Sequence, residues 1–449
     1  MKIEISNHLV LTDIPHSLES VLVDRLTFQN PRWWENYRAG RWNGETPKHL
    51  SFYEKAEGRL YIPRGFIRQL IELCRCYGTS FQIEDQRRTL KPVNLTFRGK
   101  LKPFQIEAVE AMLSRDFGTL SSPTGSGKTV IALNLIATRK QPVLIVVHTK
   151  ELLNQWIDRI QTFLGIPSDE VGVIGNGKRT IGEKITVALV QTLYKCVDHA
   201  APYNGHLIVD ECHRTPSRTF TEAVTAFDCK YMLGLSATPY RRDKLSKLIF
   251  WHLGDVIHEV KKEDLQETGD ILQVEVIWRE TDFQSSVDAS EEYSKMLSEL
   301  TEDPKRNQLI AHDVAEEAKN GGGVCLVLSD RKFHCETLHR LLKQQGVSSE
   351  LLTGDLSNGQ RQVVLERLNR KRVKVLVATG QLIGEGFDFA DLSTLFLATP
   401  VKFSGRVLQY IGRVLRPAPG KEKARVFDYV DVRVGVLKAS AKAREKVYA

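Results

Sequence analysis

Residues 119–129 read Thr-Leu-Ser-Ser-Pro-Thr-Gly-Ser-Gly-Lys-Thr, and a stretch of this kind leaves few folds open. An apolar run ends at Leu120, a glycine-bearing turn follows, and Thr129 opens the apolar segment 130–136, so the pattern predicts strand, turn and helix. Several backbone N–H groups then converge at a helix N-terminus, where an anion is favoured. Gly125 and Gly127 let the backbone approach phosphate oxygens with no Cβ in the way, and Pro123, Thr124 and Ser126 complete the loop. Lys128 can reach the β- and γ-phosphates of a nucleotide, and the Thr129 hydroxyl can ligate Mg²⁺. The strict form of this pattern has glycine where this chain has Ser122. Taken alone, such a match can also be a turn that binds nothing. The rest of the chain has to decide.

A chain of 449 residues is long enough for two or three domains with ample cores. It contains no apolar run of membrane-spanning length, and its first residues, Met-Lys-Ile-Glu-Ile, lack the charge order and apolar core of a signal peptide, so a cytoplasmic protein without a membrane partner is expected. The seven cysteines are odd in number and scattered, and Cys74 and Cys76 have no second pair at zinc-ligand spacing. Buried thiols in a reducing compartment, without zinc or disulfide, are the expectation. A net charge of +8 favours a polyanionic partner.

The first hundred residues alternate short β-like runs (9–11, 50–53, 59–62) with one helical segment, 65–77, and predict a small α+β accessory domain, 1–95. Within it, Arg32, Trp33, Trp34, Arg38, Arg41 and Trp42 interleave three of the chain's six tryptophans with three arginines. Rings that stack on bases beside guanidiniums that pair with phosphates suit a nucleic-acid surface. A core of tryptophans with a solvated arginine rim is the alternative. Beyond residue 95, the continuous apolar runs 143–147, 185–190, 207–209 and 231–235 fit parallel strands buried on both faces, hence a doubly wound α/β domain over 96–265. A polar stretch of weak periodicity, 261–303, precedes a second such set (324–328, 373–378, 395–397, 426–427), giving a second α/β domain over 266–449.

The remaining motifs lie in that frame. The 207–209 run ends in Asp210-Glu211-Cys212-His213, two acids at the strand edge where α/β sheets bind ligands. Asp210 is placed to hold Mg²⁺ and Glu211 to orient or deprotonate a water, although an acidic pair there can be a plain helix cap. The hydroxyls of Ser236 and Thr238 could relay the state of a γ-phosphate to the next domain; a simple strand-to-loop turn is the alternative. In the second domain the glycines around Gly386 permit close backbone approach, and Asp388 could meet a ribose or an arginine. Arg413 and Arg416 stand one helical turn apart and can act as fingers on the γ-phosphate. Each alone would more often be a surface residue.

As an ordered set, 101–105 (Leu-Lys-Pro-Phe-Gln), 123–129, 210–213 (Asp-Glu-Cys-His), 236–238 (Ser-Ala-Thr), 384–388 (Gly-Glu-Gly-Phe-Asp) and Gln409-x-x-Gly412-Arg413-x-x-Arg416 resemble the superfamily 2 helicases and translocases, over about residues 95 to 430. Members commonly lack the first glycine of the phosphate loop, which accounts for Ser122. The Leu-Lys-Pro-Phe-Gln opening and residues 234–243 are most similar to the XPB-like and phage UvsW-like DNA enzymes. The resemblance implies two tandem RecA-like domains that use ATP with Mg²⁺. It implies that Gln105 reads the adenine edge and that His213, with Gln409, couples nucleotide state to the neighbouring domain. It places nucleic-acid contacts at Thr149, Lys150, Gln191, Thr192, Arg331, Thr353 and Thr379. The expected activity is ATP-dependent unwinding or remodelling of forked or branched DNA in recombination, replication or repair, by a monomer in the cytoplasm of a bacterium or phage-infected host. An RNA-dependent ATPase and a nucleotide-gated binding scaffold without turnover are the other readings, the last opposed by intact Lys128, Asp210, Glu211, Arg413 and Arg416.

Overall fold

The computed structural model describes residues 1–448 except 215–217, 238–245, 385–388, 390, 402–406, 408–409, 413, 415–416, 418–420 and 422. The chain divides into two compact units, one of Met1–Ser122 with Gly127–Val260, the other of Lys261–Ala449 with Pro123–Ser126.

The first unit holds an eight-stranded sheet in the order Lys178–Arg179, Gly172–Gly175, Ile185–Leu189, Val143–Val147, His206–Val209, Tyr231–Ser236, Phe117–Ser121, Val256–Glu259. Every neighbour pair is parallel except the outermost, Gly172–Gly175 with Lys178–Arg179. The strands Val143–Val147 and His206–Val209 are buried along their whole length, because helices cover both faces of a parallel sheet and the unbroken apolar runs 143–147 and 207–209 satisfy both.

The N-terminal residues build a five-stranded sheet, Glu54–Ala56, Arg59–Pro63, His8–Thr12, Lys2–Ile5, Gln82–Asp85, in which the last pair alone is parallel. Three helices accompany it, His16–Arg25, Pro31–Arg38 and Ile67–Cys76, where one was predicted. The Pro31–Arg38 helix starts on a recognisable signal: Asn30 caps it through its side-chain oxygen to the Arg32 N–H (3.1 Å), and Pro31 occupies the first turn, where its missing N–H costs nothing. The core of this part is shared with the eight-stranded sheet. Leu248 and Trp251 of the helix Ser246–Leu253 lie among Ile3, Leu9, Leu22, Ile62 and Phe66, and the rings of Phe28, Phe52 and Phe66 surround Trp251 at 5.5–6.1 Å. Gly65 makes this closeness possible, since a Cβ there would stand 2.1 Å from the Phe250 carbonyl oxygen. Asn7 Nδ2 donates to the Thr225 carbonyl (2.9 Å), and buried Arg64 donates from Nη1 to the carbonyls of Cys229 (2.8 Å) and Ser6 (3.2 Å). The accessory segment is therefore packed and hydrogen-bonded onto the elements of the eight-stranded sheet within one unit.

The second unit is a six-stranded, all-parallel sheet in the order Val274–Thr281, Ala424–Asp431, Leu392–Leu397, Val324–Ser329, Val375–Thr379, Ser349–Leu352. Its edge strand, Val274–Thr281, falls in the stretch 261–303 that read as polar. Only Thr281 of this strand is fully buried, and Glu275, Arg279 and Glu280 interrupt its apolar residues, so the strand shows no apolar run longer than 276–278. The helix Pro304–Asn320 is anchored by Arg306, whose Nε donates to Asp431 Oδ1 (2.8 Å) and Nη1 to the Ala398 carbonyl (2.7 Å), all buried. The protein is thus α/β, two doubly wound parallel-sheet domains in tandem with a small α+β segment before them. Among the described residues no helix is long and apolar enough to cross a membrane.

Candidate active site

Adjacent parallel strands place their C-terminal ends side by side, and here the ends of Phe117–Ser121, Tyr231–Ser236 and His206–Val209 deliver Ser122, Ser236 and Asp210 to one edge. The Ser122 N–H donates to the Ser236 carbonyl at 2.9 Å, tying the phosphate-loop entrance to the next strand. Gly125 and Gly127 have φ of +94° and +83°, the left-handed region that disfavours a side chain. Gly127 is doubly constrained, because a Cβ there would lie 2.6 Å from Gln105 Nε2. Lys128 begins the helix Lys128–Arg139, with Thr129 second, and Lys128 Nζ donates to the Ser122 carbonyl (3.0 Å), which folds the ammonium back over the loop. Gln105 is buried; its Oε1 accepts from the Lys102 N–H (3.0 Å) at the start of the helix Pro103–Leu113, leaving its amide nitrogen toward Gly127.

The two acids are held differently. Asp210 is buried, and its carboxylate accepts from the Trp156 indole N–H (2.8 Å) and the Glu211 backbone N–H (2.9 Å). Burial, and next the neighbouring Glu211 charge, push its carboxyl above the usual carboxylate range. Glu211 has φ +50°, an uncommon conformation for a non-glycine residue, of the kind that concentrates at functional sites. That twist brings Glu211 Oε2 within 3.3 Å of His213 Nδ1, which also lies 3.1 Å from Ser236 Oγ. One ring thus meets the candidate base and the neighbouring strand's hydroxyl. Two adjacent carboxylates and the Thr129 hydroxyl are hard oxygen donors, as Mg²⁺ requires. Among the described residues no cluster of three or more His, Cys, Asp and Glu could hold a metal by itself. Mg²⁺ in phosphate sites takes one or two carboxylates and completes its shell with phosphates and water, so this donor set fits it.

Thr149 and Lys150 open the helix Lys150–Leu164, where the Thr149 hydroxyl caps the Leu152 N–H (3.3 Å); Gln191 and Thr192 lie in the short helix after Ile185–Leu189. Both pairs stand beyond C-terminal strand ends of the same sheet as Asp210. In the second unit, Arg331, Thr353 and Thr379 likewise sit at or just past the ends of three neighbouring strands. Buried His334 steadies that edge: Nδ1 lies 2.9 Å from Ser329 Oγ and Nε2 2.8 Å from Asn307 Oδ1, and burial pushes its pKa down to about 3, keeping it neutral. Arg32, Trp33, Trp34 and Arg38 belong to the Pro31–Arg38 helix, followed by Arg41 and Trp42. Trp33 and Trp34 are half-buried, with Lys48 Nζ 5.3 and 5.7 Å above their rings and Tyr37 stacked on Trp33. Trp42 is 91% exposed. Thr238, Gly386, Asp388, Gln409, Arg413 and Arg416 lie outside the described residues. Two residues went unnoticed in the sequence: Trp156, which orients Asp210 from a distant helix with no local signal, and Phe333, 61% exposed and two positions after Arg331.

The family model for the Type III restriction enzyme res subunit matches residues 98–241, and the one for the Helicase conserved C-terminal domain matches 304–418. Together they take in more than half of the chain and every motif from Gln105 to Arg416. The chain belongs to the superfamily 2 helicases. It is an ATP-hydrolysing enzyme of that group. The mimivirus (Acanthamoeba polyphaga mimivirus) Putative ATP-dependent RNA helicase L396 is 27% identical over 79% of this chain and 69% of its own length. The DNA 3'-5' translocase XPB2 of Sulfurisphaera tokodaii is 34% identical over 37% of each chain. Among solved structures, T4 UvsW aligns over 100% of this helicase and 97% of its own chain at 20% identity and TM-score 0.45. The DNA-bound Type ISP restriction-modification enzyme LlaBIII, 15% identical, covers 78% of this chain and 30% of its own at TM-score 0.59, a likeness of fold.

Proposed function

We propose that this helicase is a DNA translocase that unwinds or remodels forked and branched DNA, using ATP hydrolysed at the Lys128–Glu211 edge. The observation that carries the reading is that edge: Lys128, Asp210, Glu211, His213 and Ser236 gather at the ends of adjoining strands, with Glu211 twisted toward His213. Lys128 offsets phosphate charge, Asp210 and Thr129 would hold Mg²⁺, which when bound would supply neutralisation of the phosphate oxygens, and Glu211 orients and deprotonates the attacking water. His213 and Ser236 share a hydrogen bond, so a change at Glu211 is passed to the neighbouring strand. DNA as the polymer is supported by the likeness to a protein named as a DNA translocase and by the charge of residues 1–100, 16 Lys and Arg against 11 Asp and Glu. The broader match to a protein named as an RNA helicase favours RNA as the second reading. ATP turnover measured with no polymer, single-stranded DNA, duplex, fork, four-way junction and RNA separates them. Forks and junctions stimulating above linear DNA and RNA is the expected order; stimulation by RNA alone would reject the proposal.

The Pro31–Arg38 helix and the turn after it are proposed to grip DNA. Arg38→Ala with Arg41→Ala should weaken binding to every DNA shape and reduce the salt dependence by about one unit of slope for each phosphate no longer neutralised. Trp42, the exposed ring, is the better stacking candidate than half-buried Trp34. Trp42→Ala should lower the preference for forks over duplex, while Trp34→Ala should lower the melting temperature first, since its ring packs on Trp33 and Tyr37. Unchanged fork binding in a folded triple variant, R38A/R41A/W42A, would leave this segment as packing.

A further inference from the structure

The second sheet has an opposite edge, where its strands begin. There Val324, Leu392 and Ala424 enter the sheet around a polar cavity of about 330 Å³. A strand of five or six residues is roughly 17–20 Å long, so this cavity is separated by the depth of the sheet from Arg331, Thr353 and Thr379.

Its lining is basic. Among the described residues, Lys371, Lys374, Lys421, Lys423 and Arg425 face Glu317 and Asp391; Glu422 lies outside the described residues. The acids are engaged: Glu317 accepts from Arg425 Nη1 (3.0 Å) and from Thr394 Oγ1 (2.8 Å), and Asp391 lies 3.6 Å from Lys371 Nζ. Lys374 and Lys423 are left over, both exposed and neither within ion-pair distance of a carboxylate among the described residues. The three glycines 321–323 follow the helix Pro304–Asn320 into the same cavity. Gly321 N–H donates to the Glu317 carbonyl (2.7 Å), but the N–H groups of Gly322 and Gly323 have no acceptor among the described residues. A Cβ at Gly322 would meet nothing, so that backbone is open to an approaching ligand. No aromatic side chain among the described residues lines the cavity, which removes base stacking as a source of affinity. Lys374 and Lys423, without a carboxylate partner among the described residues, stand beside the open N–H groups of Gly322 and Gly323 in a concave site that no described aromatic side chain lines, an arrangement that selects for phosphate oxygens and not for a base.

We propose that this cavity is a second anion site of the helicase, which binds phosphate groups carried either by a nucleic-acid backbone or by a free polyphosphate. The site stands apart from the Arg331, Thr353 and Thr379 edge of its own sheet, and its test does not depend on translocation.

The full-length protein is acylated at its lysines and the rate followed at each residue, alone, with inorganic tripolyphosphate, and separately with a short DNA duplex. Lys374 and Lys423 should be protected together, while Lys438, exposed on the C-terminal helix, keeps its rate. Protection by duplex identifies a backbone contact. In that case Lys374→Gln with Lys423→Gln should flatten the plot of log binding constant against log salt by about 1.8, roughly 0.9 for each phosphate that the two lysines no longer neutralise, with no change in melting temperature. Protection by tripolyphosphate but not duplex identifies a free polyphosphate ligand. Equal protection of Lys438, or no protection of Lys374 and Lys423 by either probe, overturns the site.

Discussion

Lys128→Ala should abolish ATP turnover and weaken ATP binding, whereas Glu211→Gln should bind ATP close to parental affinity and fail to hydrolyse it. The difference comes from what each side chain touches. Lys128 stands at the helix N-terminus beside the Ser122 carbonyl, and in its proposed role its charge would act on bound phosphates in the ground state and the transition state alike. Glu211, with φ of +50°, stands against His213, and its proposed role is on the water and not on the phosphates. Glutamine keeps its shape and removes its basicity, which should lower kcat by about 10² to 10⁴. Nucleotide binding by titration and turnover by phosphate release check the pair. Equal loss of ATP affinity in both variants would reject the assignment of roles.

Arg413→Ala and Arg416→Ala should each cut turnover by about 10³ or more, the worth of a guanidinium that neutralises charge on a transferring phosphoryl group. DNA binding should change far less, because these side chains are assigned to the nucleotide and not to the polymer. The two positions lie outside the described residues; they belong to the motif Gln409-x-x-Gly412-Arg413-x-x-Arg416 within the matched helicase domain. Near-normal DNA-stimulated turnover in either variant would make that arginine structural.

The central strands were legible because a parallel sheet covered on both faces leaves unbroken apolar runs, as at 143–147 and 324–328. The edge strand Val274–Thr281 was not, since only Thr281 is fully buried and Glu275, Arg279 and Glu280 break up its apolar residues. The Pro31–Arg38 helix was obscured by its own composition: two tryptophans and two arginines drew attention to surface chemistry and away from the Asn30-Pro31 start signal. Tertiary facts left no local trace at all. Nothing around Trp251 announces that it completes the N-terminal core, and nothing around Trp156 that it orients Asp210. The phosphate loop and the acidic strand end could be read directly because their chemistry fixes residue type and spacing. The twisted backbone of Glu211 and the Glu211–His213–Ser236 contact could not.

The most direct test of a polymer-driven ATP motor is steady-state phosphate release by the purified chain, with and without forked DNA, in parallel with Glu211→Gln. The account predicts a low rate for the parent alone, a marked rise with fork, and neither a basal nor a stimulated rate in the variant although it binds ATP. A variant that still turns over ATP near the parental stimulated rate, or a parent whose rate is indifferent to every nucleic acid, would contradict it.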